Sequence, residues 1–223
     1  MKYSHYLTLA ELFYFPGEDY RKKVKKCRDF LEADYPELVD DFAAFEDFVT
    51  KTPSRRIEEI YMRTFDIQAL CCMDVGYVLF GEDYTRGKIL ANLNQELHEA
   101  GIDSRGELAD RLPNMLQLIP HLDDREKLDH MVGYLLKPAL DNMVDEFSMR
   151  RINEKDETYQ KFHQTVLSKE IEEVTRFKIP IQVVRKILDI DFPDVEKVTP
   201  GEGRDFMESV KNEFKNQKKN NKF

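Results

Sequence analysis

Five histidines (His5, His98, His121, His130 and His163) and three cysteines (Cys27, Cys71 and Cys72) are the side chains best suited to bind a metal or act as a nucleophile. A zinc enzyme built on a helix needs donors spaced to share one face, as in HExxH, and no such pair occurs. Glu126 and His130 make an ExxxH where di-iron bundles use ExxH. A helical metal-binding or redox enzyme would therefore have to use His121 and His130 without a supporting motif. Asp189, Asp191 and Asp194 start like a calcium loop, but the sixth position is Asp194 where glycine is needed, and the twelfth is Pro200 where glutamate is needed. There is no Walker loop, and no GxGxxG follows a strand, so phosphate cradling by a glycine-rich turn has no basis. Cys71 and Cys72 have no basic or histidine neighbour to lower a thiol pKa and read as buried core, and a disulfide between adjacent cysteines would be strained. The arginine pairs at 55–56 and 150–151 are internal and no apolar core follows them, so they read as surface or pairing residues, not an export signal. These residues assemble no catalytic site, metal site or cofactor site, and a protein that is not an enzyme is expected.

The elements that would carry them are helices. Hydrophobic residues make up 41% and charged residues 35% of the 223, enough apolar surface for a core beneath a charged exterior. Glycine is scarce, with only 9 residues, which leaves the turns of a β-sandwich or barrel poorly supplied. Tyr6, Leu9, Ala10 and Phe13 repeat at helical spacing and stop at Pro16 and Gly17. Tyr20, Val24, Cys27 and Leu31 predict a second helix, and Leu38, Val39, Phe42, Phe45 and Val49 a third. Thr52 as N-cap and Pro53 in the first turn open a fourth, carrying Ile57, Ile60 and Tyr61. Residues 64–81 are the least periodic. Asp83 precedes an amphipathic run with Ile89, Leu90, Leu93 and Leu97 that Gly101 ends, and Leu112, Met115, Leu116 and Ile119 follow, with Pro113 in the first turn. The longest apolar period, 126–147, predicts a central helix with a kink at Pro138. Val166, Leu167, Ile171 and Val174, then Val183, Val184, Ile187 and Leu188, predict two more. The expected architecture is all-α: one multi-helix bundle over 1–210, followed by a basic, disordered tail at 211–223.

The formal net charge is −9, and the tail holds five Lys against one Glu, which leaves −13 on residues 1–210. An acidic body repels phosphate backbones and anionic membranes and attracts basic partners. No nucleic acid is expected as a partner. The beginning of the chain lacks the apolar core of a secretory signal, and no run reaches the length of a membrane span, so a cytoplasmic protein without stable membrane insertion is expected.

One set of motifs goes further. Tyr61 with Thr64, Phe65 and Asp66 is followed by Gly81, Glu82 and Asp83 with Arg86 and Gly87, then Glu107 and Leu108, Asp110, and Leu112 with Pro113. In this order and spacing, and with the opening LAELFYFPGEDY, the chain resembles the nitrate reductase assembly chaperone (delta-subunit) family, within the molybdoenzyme maturation chaperones. The resemblance covers about residues 5–125. The chain has Ala109 and Arg111 where that family usually has a proline and an aromatic, and residues 71–77 replace a histidine-bearing stretch. These departures bear on which client is served more than on the fold.

The resemblance implies an all-helical cytoplasmic chaperone that binds the N-terminal segment of an apo molybdenum catalytic subunit until the cofactor is inserted. Such a segment is basic and amphipathic, and would lay its apolar face in a groove while its cations meet acidic rims. The residues expected to bind it are Asp66, Glu82, Asp83 and Asp110 as rim, and Leu90, Leu112 and Leu116 as floor. Phe65, Arg86 and Pro113 belong to the same motifs. An adaptor for an unrelated basic protein is the alternative that needs no molybdenum client.

Overall fold

The computed structural model describes residues 2–67, 69–148, 151 and 172–198. The helix expected through Val166, Leu167 and Ile171, the tail at 211–223 and the boundary at 210 lie outside the described residues. Among the described residues the chain is all-α: the helices are α1 His5–Ala10, α2 Tyr20–Asp34, α3 Val39–Lys51, α4 Ser54–Phe65, α5 Val75–Phe80, α6 Tyr84–Glu99, α7 Leu112–Leu118, α8 Arg125–His130, α9 Lys137–Glu146 and α10 Lys178–Asp191. The pairing that resembles a strand is one isolated bridge between Asp74 and Arg111. None of these helices is long and apolar enough to cross a membrane.

The apolar repeats face inward and merge into one core. Helix α10 lies on α9 and α3, α3 on α2, α1 on α7, and α5 on α9 and α6. Phe177, fully buried just before α10, is a hub, its ring meeting Phe45, Phe65 and Tyr61 edge-on at 5.4, 5.4 and 5.8 Å. Edge-to-face pairs at this spacing add to burial energy and restrict ring orientation. They fix the end of α4, where Phe65 sits. Two local expectations need correction. Thr52 closes α3 instead of capping α4, and Pro53 occupies the N-cap position, outside the first turn. Its fixed φ prepares the chain for α4 from there.

The central helix runs from α8 through α9, and Pro138 shapes it one turn early. Proline has no N–H to donate, and its ring crowds the carbonyl four residues back. The ladder widens over Met131–Leu136 into a π-segment, in which the Lys137 N–H donates to the Val132 carbonyl five residues back. Gly133 lies in this segment because residues 195–198 press against it: a Cβ there would stand 2.8 Å from the Glu196 carbonyl oxygen. The Val198 N–H donates to the Gly133 carbonyl at 3.1 Å. Lys137, 3% exposed, pins the same strap by donating to the Phe192 and Val195 carbonyls at 3.1 and 2.7 Å while pairing with Asp189 at 3.0 Å.

The two ends of the described chain are clasped together. His5 Nε2 lies 2.7 Å from Asp191 Oδ2, and the Tyr35 hydroxyl donates to Asp191 Oδ1 at 2.7 Å. Asp189 and Asp191, two of the three carboxylates that mimic a calcium loop, are thus structural ion pairs. Burial alone would raise both carboxyls, but bonds from His5 and Tyr35 to Asp191, and from Arg185 and Lys137 to Asp189, hold them below the ordinary value. A carboxyl with a depressed folded pKa contributes stability that is present above its unfolded pKa, about 3.9, and lost as pH falls through the folded value. The unfolding free energy is therefore expected to fall below about pH 4. The Asp191→Asn variant should show a shallower acid slope in urea titrations across pH 2–5; a slope equal to the wild type would remove the clasp from the acid limb.

Candidate peptide-binding cleft

Helix α5 follows a loop pinned by backbone and charge. The Val75 N–H donates to the Asp110 carbonyl at 2.8 Å, and the Leu112 N–H to the Met73 carbonyl at 2.9 Å. Arg86, from the first turn of α6, forks between two carboxylates, with Nε 3.0 Å from Asp110 Oδ2 and Nη2 3.0 Å from Asp74 Oδ2. Its guanidinium carbon also stands 5.3 Å from the ring centre of Tyr77, within cation–π range. Burial first, and the Asp110 carboxylate second, push the Asp74 carboxyl above its ordinary value despite the arginines. Gly76 permits this packing, since a Cβ would stand 2.7 Å from Asp110 Oδ2. Arg111 extends the network to Asp66 at 3.1 Å and Glu107 at 3.4 Å.

Beside this network opens a cleft of about 670 Å³. The end of α4 contributes Phe65 and Asp66, and the loop after it Ala69 and Cys72. Tyr77 and Val78 come from α5, and Asn142, Asp145 and Glu146 from α9, with Arg151 nearby. The lining therefore sets apolar surface beside three carboxylates and one cation. Asp145 and Glu146 sit in the last turn of α9, which carries no basic residue there. A helix C-terminus already presents negative carbonyl ends, so acids at that position cost stability that bases would recover. Arg151 lies 3.7 Å from Asp145 and 3.8 Å from Glu146. Cys72 offers little nucleophilicity, because burial pushes its thiol above the ordinary value. Cys27, Cys71 and Cys72 form no disulfide.

Of the residues expected to bind a partner, only Phe65 and Asp66 line this cleft. Asp110 is not on an exposed rim: it is 0% exposed, held by Arg86, with Oδ1 unpartnered. Leu112, Pro113 and Leu116 are buried in the core and form no groove floor. Leu90 is half-buried and packs against that core. Glu82 and Asp83 are exposed, and Asp83 caps α6 by accepting the Thr85 N–H at 2.7 Å. Arg86 contributes indirectly, by bracing Tyr77. The lining residues that sequence reasoning missed are Ala69, Cys72, Tyr77, Val78, Asn142, Asp145, Glu146 and Arg151; the readable signal was the acidic pair at a helix end that favours bases. His121 bonds the Gln117 carbonyl through Nδ1 at 2.8 Å, and His130 meets Tyr134 edge-on at 5.5 Å. Neither belongs to a cluster of three or more potential metal ligands among the described residues.

No protein-family model matches the chain, and no curated protein matches it.

Proposed function

We propose that this protein is an assembly chaperone, not an enzyme, and that its cleft binds the basic N-terminal segment of an apo molybdenum-containing catalytic subunit. The observation that carries the reading is the lining itself: Phe65, Tyr77 and Val78 offer an apolar floor while Asp66, Asp145 and Glu146 supply negative charge. An amphipathic peptide places apolar anchors on one such surface and its cations on the other. The family resemblance selects the client from among basic partners, and nitrate reductase or a related respiratory enzyme fits it best.

The test is calorimetric titration of a synthetic client N-terminal peptide into the wild type and into Asp145→Lys with Glu146→Lys. The double variant gives up the contacts of Asp145 and Glu146 with Arg151 while gaining cations at a helix C-terminus, two small opposed effects, so it is expected to melt near the wild-type temperature. Its affinity for the peptide is expected to fall about tenfold, mostly through slower association, and added salt should narrow the difference. Equal affinities would remove Asp145 and Glu146 from the site. A peptide that does not bind the wild type at all would remove the client.

A further inference from the structure

A second apolar surface continues from the cleft at Asp66. Phe15, Ile67 and Leu108 are 50%, 61% and 48% exposed, three of the six large apolar side chains that stand in solvent among the described residues. Singly, such exposure is ordinary, but these three surround one node. Phe15 meets the Tyr61 ring edge-on at 5.7 Å, and the Tyr61 hydroxyl accepts from Arg111. The Arg111 N–H donates to the Leu108 carbonyl at 3.1 Å, and its Nη2 to Oδ1 of Asp66, the neighbour of Ile67, at 3.1 Å. The backbone beneath the three is fixed. The Ile67 N–H donates to the Met62 carbonyl at 2.7 Å, the buried Asn114 amide to the Leu108 carbonyl at 2.9 Å, and the Tyr61 hydroxyl to the Phe13 carbonyl at 2.9 Å. Binding to a surface held in this way costs little ordering entropy. The node is also short of positive charge. Four carboxylates, Asp66, Asp74, Glu107 and Asp110, share the two guanidiniums of Arg86 and Arg111, which leaves two negative charges in excess within the network. Asp66 and Glu107 are its exposed members, and Asp66 also lines the cleft.

We propose that Phe15, Ile67 and Leu108 form a shelf that holds a second apolar anchor of the same client segment, whose cations cross from cleft to shelf over Asp66 and Glu107. This rests on the cleft being the site for a basic N-terminal segment. The partner recognised is then a segment with two apolar anchors separated by basic residues. Two weak anchors on one chain bind far more tightly than either alone, because the second engages at the effective concentration set by the link between them. The arrangement also discriminates, since a basic peptide with a single anchor fills the cleft only and leaves sooner.

The chain has no tryptophan, so a single substitution in the full-length protein places a single reporter. Phe15→Trp reports on the shelf and Tyr77→Trp on the cleft, each titrated with the same tryptophan-free synthetic molybdenum-subunit N-terminal peptide. Both emissions are expected to shift to the blue with a common midpoint, and the Phe15→Trp signal to become protected from acrylamide. A response at Tyr77→Trp with none at Phe15→Trp would overturn the shelf and leave the cleft reading standing. A response at Phe15→Trp with none at Tyr77→Trp would remove the cleft reading, and the two-part footprint with it. Silence at both would end both. A second measurement tests the anchor directly by calorimetry. Ile67→Ser with Leu108→Ser is expected to weaken the full peptide about tenfold, whereas a peptide shortened to one apolar anchor should bind the wild type and the double variant alike. Equal affinity for the full peptide would overturn the shelf. So would an equal loss for the shortened peptide, which would mean that the substitutions disturb the cleft itself.

Discussion

Arg86→Leu is expected to lower the unfolding free energy by about 3–5 kcal/mol in urea denaturation, the cost of stripping one partner from a buried ion pair. The Arg86 side chain is 12% exposed and Asp110 is 0% exposed, so solvent cannot replace the lost guanidinium at Asp110. Asp110 Oδ1 already has no partner, and removing the arginine would strand the whole carboxylate. Asp110→Asn in the Arg86→Leu background should recover part of the loss, because it removes the stranded charge. Arg86→Lys should recover less than full stability, since an ammonium cannot fork between Asp74 and Asp110 as a guanidinium does. A loss under about 1 kcal/mol for Arg86→Leu is what an exposed pair would give, and would contradict the buried placement.

Leu135→Asp should be comparably severe, at about 3–5 kcal/mol. Leu135 is 5% exposed in the π-segment of the central helix. An aspartate there would bury a charge without a partner, or force the segment to open beneath the strap held by Lys137 and Gly133. The conservative Leu135→Met should cost less than about 1.5 kcal/mol. Thermal melts of the two variants decide the matter, and an Asp variant that melts with the wild type would place this face in solvent.

The helical period made most of the fold legible, because apolar residues at three- and four-residue spacing admit few other solutions. Asp83, Pro113 and Gly101 marked helix boundaries for local reasons that a sequence displays: a cap, a first-turn proline, and a positive-φ stop at +66°. The Thr52 cap failed because Thr52 satisfies its N–H at the Phe48 carbonyl, finishing one helix before the next begins. The π-segment ahead of Pro138 was not foreseen, because the sequence displays the proline but not how the turn before it absorbs the lost hydrogen bond.

The site was much less legible, for reasons of distance. Asp110 looks like any surface carboxylate until Arg86, 24 residues earlier, folds against it. Leu112 and Leu116 fit a groove floor or a core equally well on periodicity, and packing of α1 on α7 decides for the core. The cleft joins the stretch from Phe65 to Val78 with the stretch from Asn142 to Arg151, which meet only because α5 packs on α9. No local pattern spans that separation, and residues 64–81 have little periodicity of their own because α5 is only six residues long.

The most direct measurement of the central claim is amide hydrogen exchange on the protein with and without a bound molybdenum-subunit N-terminal peptide. Binding in the cleft predicts new protection in the segments containing Phe65–Val78 and Asn142–Glu146, the elements that line it, with little change in α2 or α3. Protection confined to α2, α3 or the α6 surface around Glu82 and Asp83, with none at Phe65–Val78, would contradict it.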